Sequence, residues 1–327
     1  MLRPHRTDFI QVVRGFLMGS ADIIPGVSGG TIALILGIYA RLVTAISHFD
    51  AHLVRLLAQR QWQAAAAHVD LRFLVALALG ILSGIVCLAS LVLYLLTEQR
   101  SYTLAVFFGL ILASSLIVAR MVRPRTSAQL WGSCGLALTA ALFAFWLVGL
   151  QQFGFRDSLG YFFLCGVVAI CAMILPGISG AYILWLLGAY ETVAGIIHNL
   201  AHFEVTTNQL LTLAVFTTGC AVGLVSFSKL LRWLLASAHM TTMAVLGGFM
   251  VGSLRLMWPF QRDLTPAIEK LKLKEFQPYI PQQWDTQVTE CLALAVVAMV
   301  AILLLERWGS AADPEDETPS NTTVQGH

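Results

Sequence analysis

The sequence predicts an all-α polytopic membrane protein made of two inverted repeats, each a re-entrant helical hairpin followed by three transmembrane helices. Three observations lead there. Hydrophobic residues make up 57% of the chain and charged residues 12%, roughly half the charge of a soluble domain, with a mean hydropathy of +0.77. The stretch Asp22-Ile23-Ile24-Pro25-Gly26-Val27-Ser28-Gly29-Gly30-Thr31 recurs as Met173-Ile174-Leu175-Pro176-Gly177-Ile178-Ser179-Gly180-Ala181-Tyr182, and Leu36-Gly37-Ile38-Tyr39 recurs in register as Leu187-Gly188-Ala189-Tyr190. Each copy puts a helix-breaking Pro-Gly turn in the middle of a long apolar run, the sequence mark of a discontinuous membrane element.

The first repeat covers residues 1–150. Its hairpin, 9–40, is apolar apart from Arg14, Asp22 and the turn. Residues 41–72 mix Arg41, Asp50, Arg55, Arg60, Asp70 and Arg72 with apolar positions and read as an amphipathic surface segment. Spans follow at about 73–97, 101–119 and 130–150, with a basic loop of Arg120, Arg123 and Arg125 around Pro124. The second repeat covers 151–309, with its hairpin at 158–190 and spans at about 207–228, 233–254 and 288–306. Residues 158–190 carry no formal charge. As one helix they would measure about 50 Å, too long for a hydrocarbon core of about 30 Å and too short for two full spans. Two half-length arms around a turn near the midplane fit that length, and irregular backbone at such depth requires surrounding protein or a water-filled cavity. A polar loop at 259–287 precedes the last span. The Ser/Thr/Pro-rich acidic tail, 310–327, has the composition of a disordered segment.

The repeat extends past the hairpins. Gly80 and Gly84 match Gly219 and Gly223, and at that same second offset Ala105, Gly109 and Ser114 match Ala244, Gly248 and Ser253. Three crossings per half is an odd number, so the second half starts on the opposite face and the repeats are expected to be inverted. Thirteen of the twenty Lys and Arg residues fall on the side shared by 1–14, 41–72, 120–125, 229–232 and 307–327, which assigns that side, with both termini, to the cytoplasm. The basic N-terminus is not read as a cleaved signal, since its first apolar run holds Asp22 and Pro25 and offers no cleavage site. The six cysteines all lie in apolar runs without a Cys-x-x-Cys pair. They read as small packing residues and not as metal or redox centres.

The turns carry the candidate chemistry. A half-helix starting at Ser28 or Ser179 presents its first backbone N–H groups, which with the helix dipole favour anions. Gly26, Gly29, Gly30, Gly177 and Gly180 leave room for close approach, and Ser28, Thr31 and Ser179 add hydroxyls. A tightly packed kink through small residues is the competing reading. Asp22 is the one acidic residue deep in either hairpin. Intramembrane carboxylates commonly serve ion or proton pathways, which assigns Asp22 to H+ or Na+ coupling, and a local cap for the turn is the alternative. Arg255, just after Gly252-Ser253, fits either pairing with a phosphate or snorkelling to the interface.

Asp22-Ile-Ile-Pro-Gly-Val-Ser-Gly-Gly-Thr31 and Leu175-Pro-Gly-Ile-Ser-Gly180, together with Gly252-Ser253-Leu254-Arg255 and Trp258-Pro259, resemble a bacterial polyprenyl-phosphate transporter family over roughly residues 10 to 305. The resemblance implies a plasma-membrane flippase, not an enzyme, that returns the lipid carrier undecaprenyl phosphate from the outer to the cytoplasmic leaflet. It places the phosphate at the two turn motifs and Arg255. It says nothing of the 259–287 loop or the tail, and it names no cofactor. The polyprenyl chain of such a substrate would remain in lipid, so the site should open sideways. The partners expected are this lipid and the bilayer, not nucleic acid. Two alternatives stand: a transporter of a small soluble anion, and an intramembrane lipid-phosphate hydrolase. Gly-x-Ser-Gly also resembles rhomboid proteases, and the paired turns resemble undecaprenyl-pyrophosphate phosphatase. A serine nucleophile needs a base, however, and His198, His202 and His239 sit at segment ends.

Overall fold

The computed structural model describes residues 6–23, 28–154, 156–266, 274 and 276–312. Pro25 and Gly26 of the first turn, and residues 313–327 of the expected tail, lie outside these. The first hairpin is α1 (Arg6–Asp22) and the seven-residue α2 (Gly29–Ile35), and the second is α9 (Leu159–Ile174) and the seven-residue α10 (Gly180–Leu186). Among the described residues, six helices are long and apolar enough to cross a membrane: α6 (Leu71–Glu98), α7 (Arg100–Met121), α8 (Ser127–Leu147), α12 (Thr207–Ser237), α13 (His239–Ser253, continued by a 3-10 turn) and α14 (Thr286–Ala312). The chain is therefore an all-α multi-pass membrane protein, as its composition predicts.

The half-helices begin and end on the residues the repeat shares. Ser28 and Ser179 cap α2 and α10, accepting from Gly30 N (3.1 Å) and Tyr182 N (3.5 Å). Each half-helix then stops at a left-handed glycine, Gly37 at φ +69° and Gly188 at φ +71°. Beyond it, Ile38 N reaches Ala33 O (3.0 Å) and Ala189 N reaches Leu184 O (3.1 Å), the hydrogen-bond pattern of a Schellman stop. The next helices, α3 (Tyr39–Ser47) and α11 (Tyr190–Ala201), leave at bends of 120° and 113°. That accounts for the recurrence of Leu-Gly-x-Tyr: only a residue without Cβ takes this φ without strain.

The surface segment forms α4 (Ala51–Ala58) and α5 (Trp62–His68) after α3. Arg41 is held there by Asp70 (2.7 Å) and stacks on Phe73. Helix pairing repeats between the halves. Helix α1 packs on α6 as α9 packs on α12, while α7 packs on α14 as α13 packs on α8, and α7 meets α13 at the centre. The matched glycines sit at these crossings. A Cβ at Gly80 would lie 2.1 Å from Val12 O, and one at Gly219 would lie 2.2 Å from Phe163 O. Interhelical contact in a bilayer rests on such close backbone approach, because lipid supplies no hydrophobic drive between helices.

Three features differ from expectation. The break expected at 229–232 falls at Ala238, so Lys229 and Arg232 are helical residues of α12. A charged pair does not stop a helix, whereas the chain turns at matched positions: Gln99 (φ −129°, ψ 42°) and Ala238 (φ −140°, ψ 49°). After each turn a threonine hydroxyl reaches two carbonyls, Thr103 to Leu95 and Gln99 and Thr242 to Leu234 and Ala238. The 259–287 loop carries a short antiparallel ladder, β1 (Gln261–Asp263) with β2 (Phe276–Pro278), pairing Arg262 with Gln277. Finally, α14 runs to Ala312, past the expected start of the tail at 310.

The hairpin tips meet in the interior. Ser28 Oγ donates to Met173 O (3.0 Å), Tyr39 OH donates to Ile174 O (3.1 Å), and Gly177 N donates to Thr31 Oγ1 (3.0 Å). Thr31 is 1% exposed, so Thr31→Val leaves the Gly177 N–H buried without an acceptor. That change is expected to cost about 1–3 kcal/mol, read as a lowered unfolding midpoint of the purified protein in detergent. A midpoint equal to the parent's would mean the tips are not held by this bond.

Candidate functional site

The turn residues do not all face one space. Gly29 N donates to Asp22 Oδ1 at 2.5 Å, Gly30 N is taken by Ser28, and Gly177 N by Thr31. The local-cap reading of Asp22 is thus a contact of this structure. Ser28 and Thr31 are buried against the second turn. The glycines make room for protein. A Cβ at Gly30 would come 2.7 Å from Ile174 O, at Gly177 2.8 Å from Met250 Cα, and at Gly180 2.6 Å from Ala169 O, while at Gly29 it would strike the Asp22 carboxylate. Gly177, at φ +88°, is also in a conformation side chains resist. Close approach was the expectation, and the group that approaches here is the other hairpin or the protein's own backbone.

Beside the crossed tips lies a cavity of about 370 Å³, within the size range of small-ligand sites. Among the predicted site residues it brings together Asp22, Ser179 and Arg255. Ser28, Gly29, Gly30, Thr31, Gly177 and Gly180 do not line it, and Gly26 lies outside the described residues. Tyr182 adds a hydroxyl that donates to Leu150 O at 3.4 Å. The Arg255 guanidinium donates to Phe145 O (3.0 Å) and stacks on the Phe145 ring. Gly149 gives it the space, since a Cβ there would sit 2.1 Å from Nη1. Arg255 is therefore a cavity residue, held by the end of α8.

Sequence reasoning missed two parts of the cavity. Arg100, at the first position of α7, lines it, and so do Gln261, Lys274 and Phe276 from the loop after α13. Arg100 Nη2 donates to Gln261 Oε1 (2.9 Å), and its guanidinium lies 3.4 Å from the centre of the Phe276 ring. Lys274 pairs with Asp263 at 2.7 Å. Together with a backbone bond from Thr265, that contact holds the Asp263 carboxyl below its ordinary pKa. In the sequence Arg100 stands with Glu98 in a short polar break between two apolar runs, and only the fold reveals that it meets a loop far along the chain. No group of His, Cys, Asp and Glu among the described residues has the arrangement of a metal site.

The arrangement can hold an anion. Arg100 and Arg255 face one space, and neither forms an ion pair among the described residues. An unpaired guanidinium in a partly enclosed site favours a carboxylate or phosphate partner.

Comparison with known proteins agrees on the family. Residues 18–273 match the model of a family described as undecaprenyl phosphate translocase-like. A protein of Vibrio cholerae named polyprenyl-phosphate transporter is 34% identical over 300 residues, covering 90% of this chain and 93% of that one. A Staphylococcus aureus protein of the same name is 29% identical over 261 residues, 77% of this chain and 86% of that one. No solved structure matches. A matched segment that contains both turns, Arg100 and Arg255, with a relative aligned along nearly its whole length, means that this chain belongs to the undecaprenyl phosphate translocase-like family.

Proposed function

We propose that this protein is a secondary transporter that carries a polyprenyl phosphate, undecaprenyl phosphate, from the outer to the cytoplasmic leaflet of the bacterial plasma membrane for reuse in envelope synthesis. It works as a flippase and not as a hydrolase. The observation that carries the reading is the cavity where Asp22 and Ser179, one from each hairpin, face Arg255. The names of the two relatives support the lipid substrate.

On this reading the phosphate rests first among the cavity cations and the Ser179 hydroxyl. It then engages the donors of the two turn motifs, Gly26 to Thr31 and Gly177 to Gly180, as those donors leave their present partners. Asp22 takes the place an anion would take on Gly29 N. Protonation of Asp22, or Na+ beside it, weakens that hold and removes the repulsion between carboxylate and phosphate. Bound cation and bound phosphate then favour each other, the energetic condition for symport. The matched helix pairing of the two halves supports inverted repeats with domains at 1–150 and 151–309, in which one site faces each leaflet in turn. With Arg120, Arg123 and Arg125 cytoplasmic, the cavity and its loop lie on the outer side.

Hydrolysis is disfavoured by the cavity lining, which has no histidine among the described residues to serve as base. A small soluble anion would need the same cations and no sideways opening. Competition between inorganic phosphate and the lipid in a flipping assay separates these substrates.

Topology is checked by cysteine labelling in a protein whose six native cysteines are replaced. An impermeant thiol reagent added outside is expected to label Glu204→Cys and to spare Gln63→Cys. Labelling of both from one side overturns the inverted arrangement. For coupling, Asp22→Asn in proteoliposomes is expected to keep exchange of polyprenyl phosphate and to lose the response of uptake to a pH or sodium gradient. An unchanged gradient response means that the carboxylate is only a cap.

A further inference from the structure

The cavity holds one arginine more than the resemblance assigns to it. We infer that Arg100 is a second phosphate-recognising residue and that, with Arg255, it makes the site selective for a phosphomonoester over the phosphodiesters of bulk lipids. The inference rests on the proposed lipid-phosphate reading and deepens it.

Three features of Arg100 point this way. Its guanidinium is pinned, with one face on Phe276 and one nitrogen on Gln261, so little side-chain freedom is lost when it binds a ligand. Its Nε is buried and has no hydrogen-bond partner among the described residues, an arrangement that native structures tolerate at sites that receive a ligand or water. Among the described residues it has no carboxylate within ion-pair distance, although Arg41, Arg72, Arg120 and Lys274 all have one.

The charges lining the cavity give the selectivity. Lys274 is offset by Asp263. Among the described residues that line the cavity, that leaves two guanidiniums, Arg100 and Arg255, against the single carboxylate of Asp22. A phosphomonoester carries close to two negative charges at neutral pH, whereas a phosphodiester has one ionisable oxygen and carries one. With Asp22 neutralised, two fixed cations match the monoester, and a diester leaves one of them without a partner. The headgroup-bearing glycerophospholipids that form the bulk of a bilayer are phosphodiesters and greatly outnumber a carrier lipid. Discrimination by charge number, through a penalty on the wrong ligand, is therefore a requirement that Arg255 alone does not meet.

The test is equilibrium binding to the purified full chain in nanodiscs of a neutral lipid. Three probes share one short polyprenyl chain: the monophosphate, its methyl phosphodiester and the free alcohol. The parent is expected to bind the monophosphate more tightly than both others. Arg100→Gln is expected to lose about 10- to 100-fold in monophosphate affinity and much less for the diester, so that the monoester-to-diester ratio collapses. Arg100→Lys, which keeps the charge and loses the planar fork, should fall between. A ratio in Arg100→Gln equal to the parent's overturns the inference and leaves the transport reading standing. A parent that binds alcohol and monophosphate alike overturns both. If Arg100→Gln does not fold, Arg100→Met, neutral and of similar length, decides, and an unchanged ratio there sinks the inference.

Discussion

A helix that breaks inside a membrane frees backbone donors and acceptors where no water can reach them, and this fold is arranged around that constraint. Each hairpin meets part of the cost with its own residues: the serine caps, the Schellman stops and Asp22 on Gly29 N. The rest comes from the other hairpin. The carbonyls of Met173 and Ile174, freed at the end of α9, are met by Ser28 and Tyr39, and Gly177 N is met by Thr31. Neither turn is complete alone, so the halves of the chain are joined at their weakest points. A displacement of one tip breaks bonds of the other. That is the property required of an element with two discrete arrangements, in contrast to a continuously deformable one.

Sequence match does not mean chemical match. Asp22 corresponds to Met173, which contributes only its carbonyl to the crossing. Thr31 corresponds to Tyr182, whose ring faces the cavity and not the opposite tip. Arg100 and Arg255 correspond to His239 and Leu116, both exposed. The backbone plan is shared while the charged side chains are concentrated at one end, which gives the cavity its polarity. On the proposed reading, one repeat pattern builds the moving frame and these departures make its two states unequal.

Much of this was legible in the sequence because it depends on local rules. Pro-Gly turns within apolar runs and a glycine just past each half-helix dictate breaks and stops wherever they occur, and the structure has them at Ser28, Gly37, Ser179 and Gly188. The glycines of the spans were readable as a repeat, though not as particular contacts such as Gly109 against Ala295 O. What escaped is non-local. Arg100 looks like an interfacial charge until the loop folds back to place Gln261 and Phe276 beside it. Lys229 and Arg232 mark where charge is tolerated near a helix end, not where the helix stops. The glycines of the turns admit protein backbone, and nothing in a motif distinguishes that from room for a ligand.

The same geometry decides which groups recognise an anion first. A half-helix of seven residues whose leading N–H groups are already bonded offers little to a ligand, since its positive end consists of those unsatisfied donors. In this conformation the Gly29, Gly30 and Gly177 donors are all taken, so attraction falls to the guanidiniums of the cavity wall. The turn donors become available only when their partners leave. Ser28 and Thr31 are neutral, and their hold on Gly30 N and Gly177 N does not depend on a charge. Asp22 is the one of these partners whose hold depends on its charge, and protonation or a bound cation weakens that hold without moving the backbone. On the proposed reading, a cation therefore does more than accompany the phosphate: it loosens the grip on the Gly29 N–H, and the fold has put that control on the carboxylate it keeps beside the first turn.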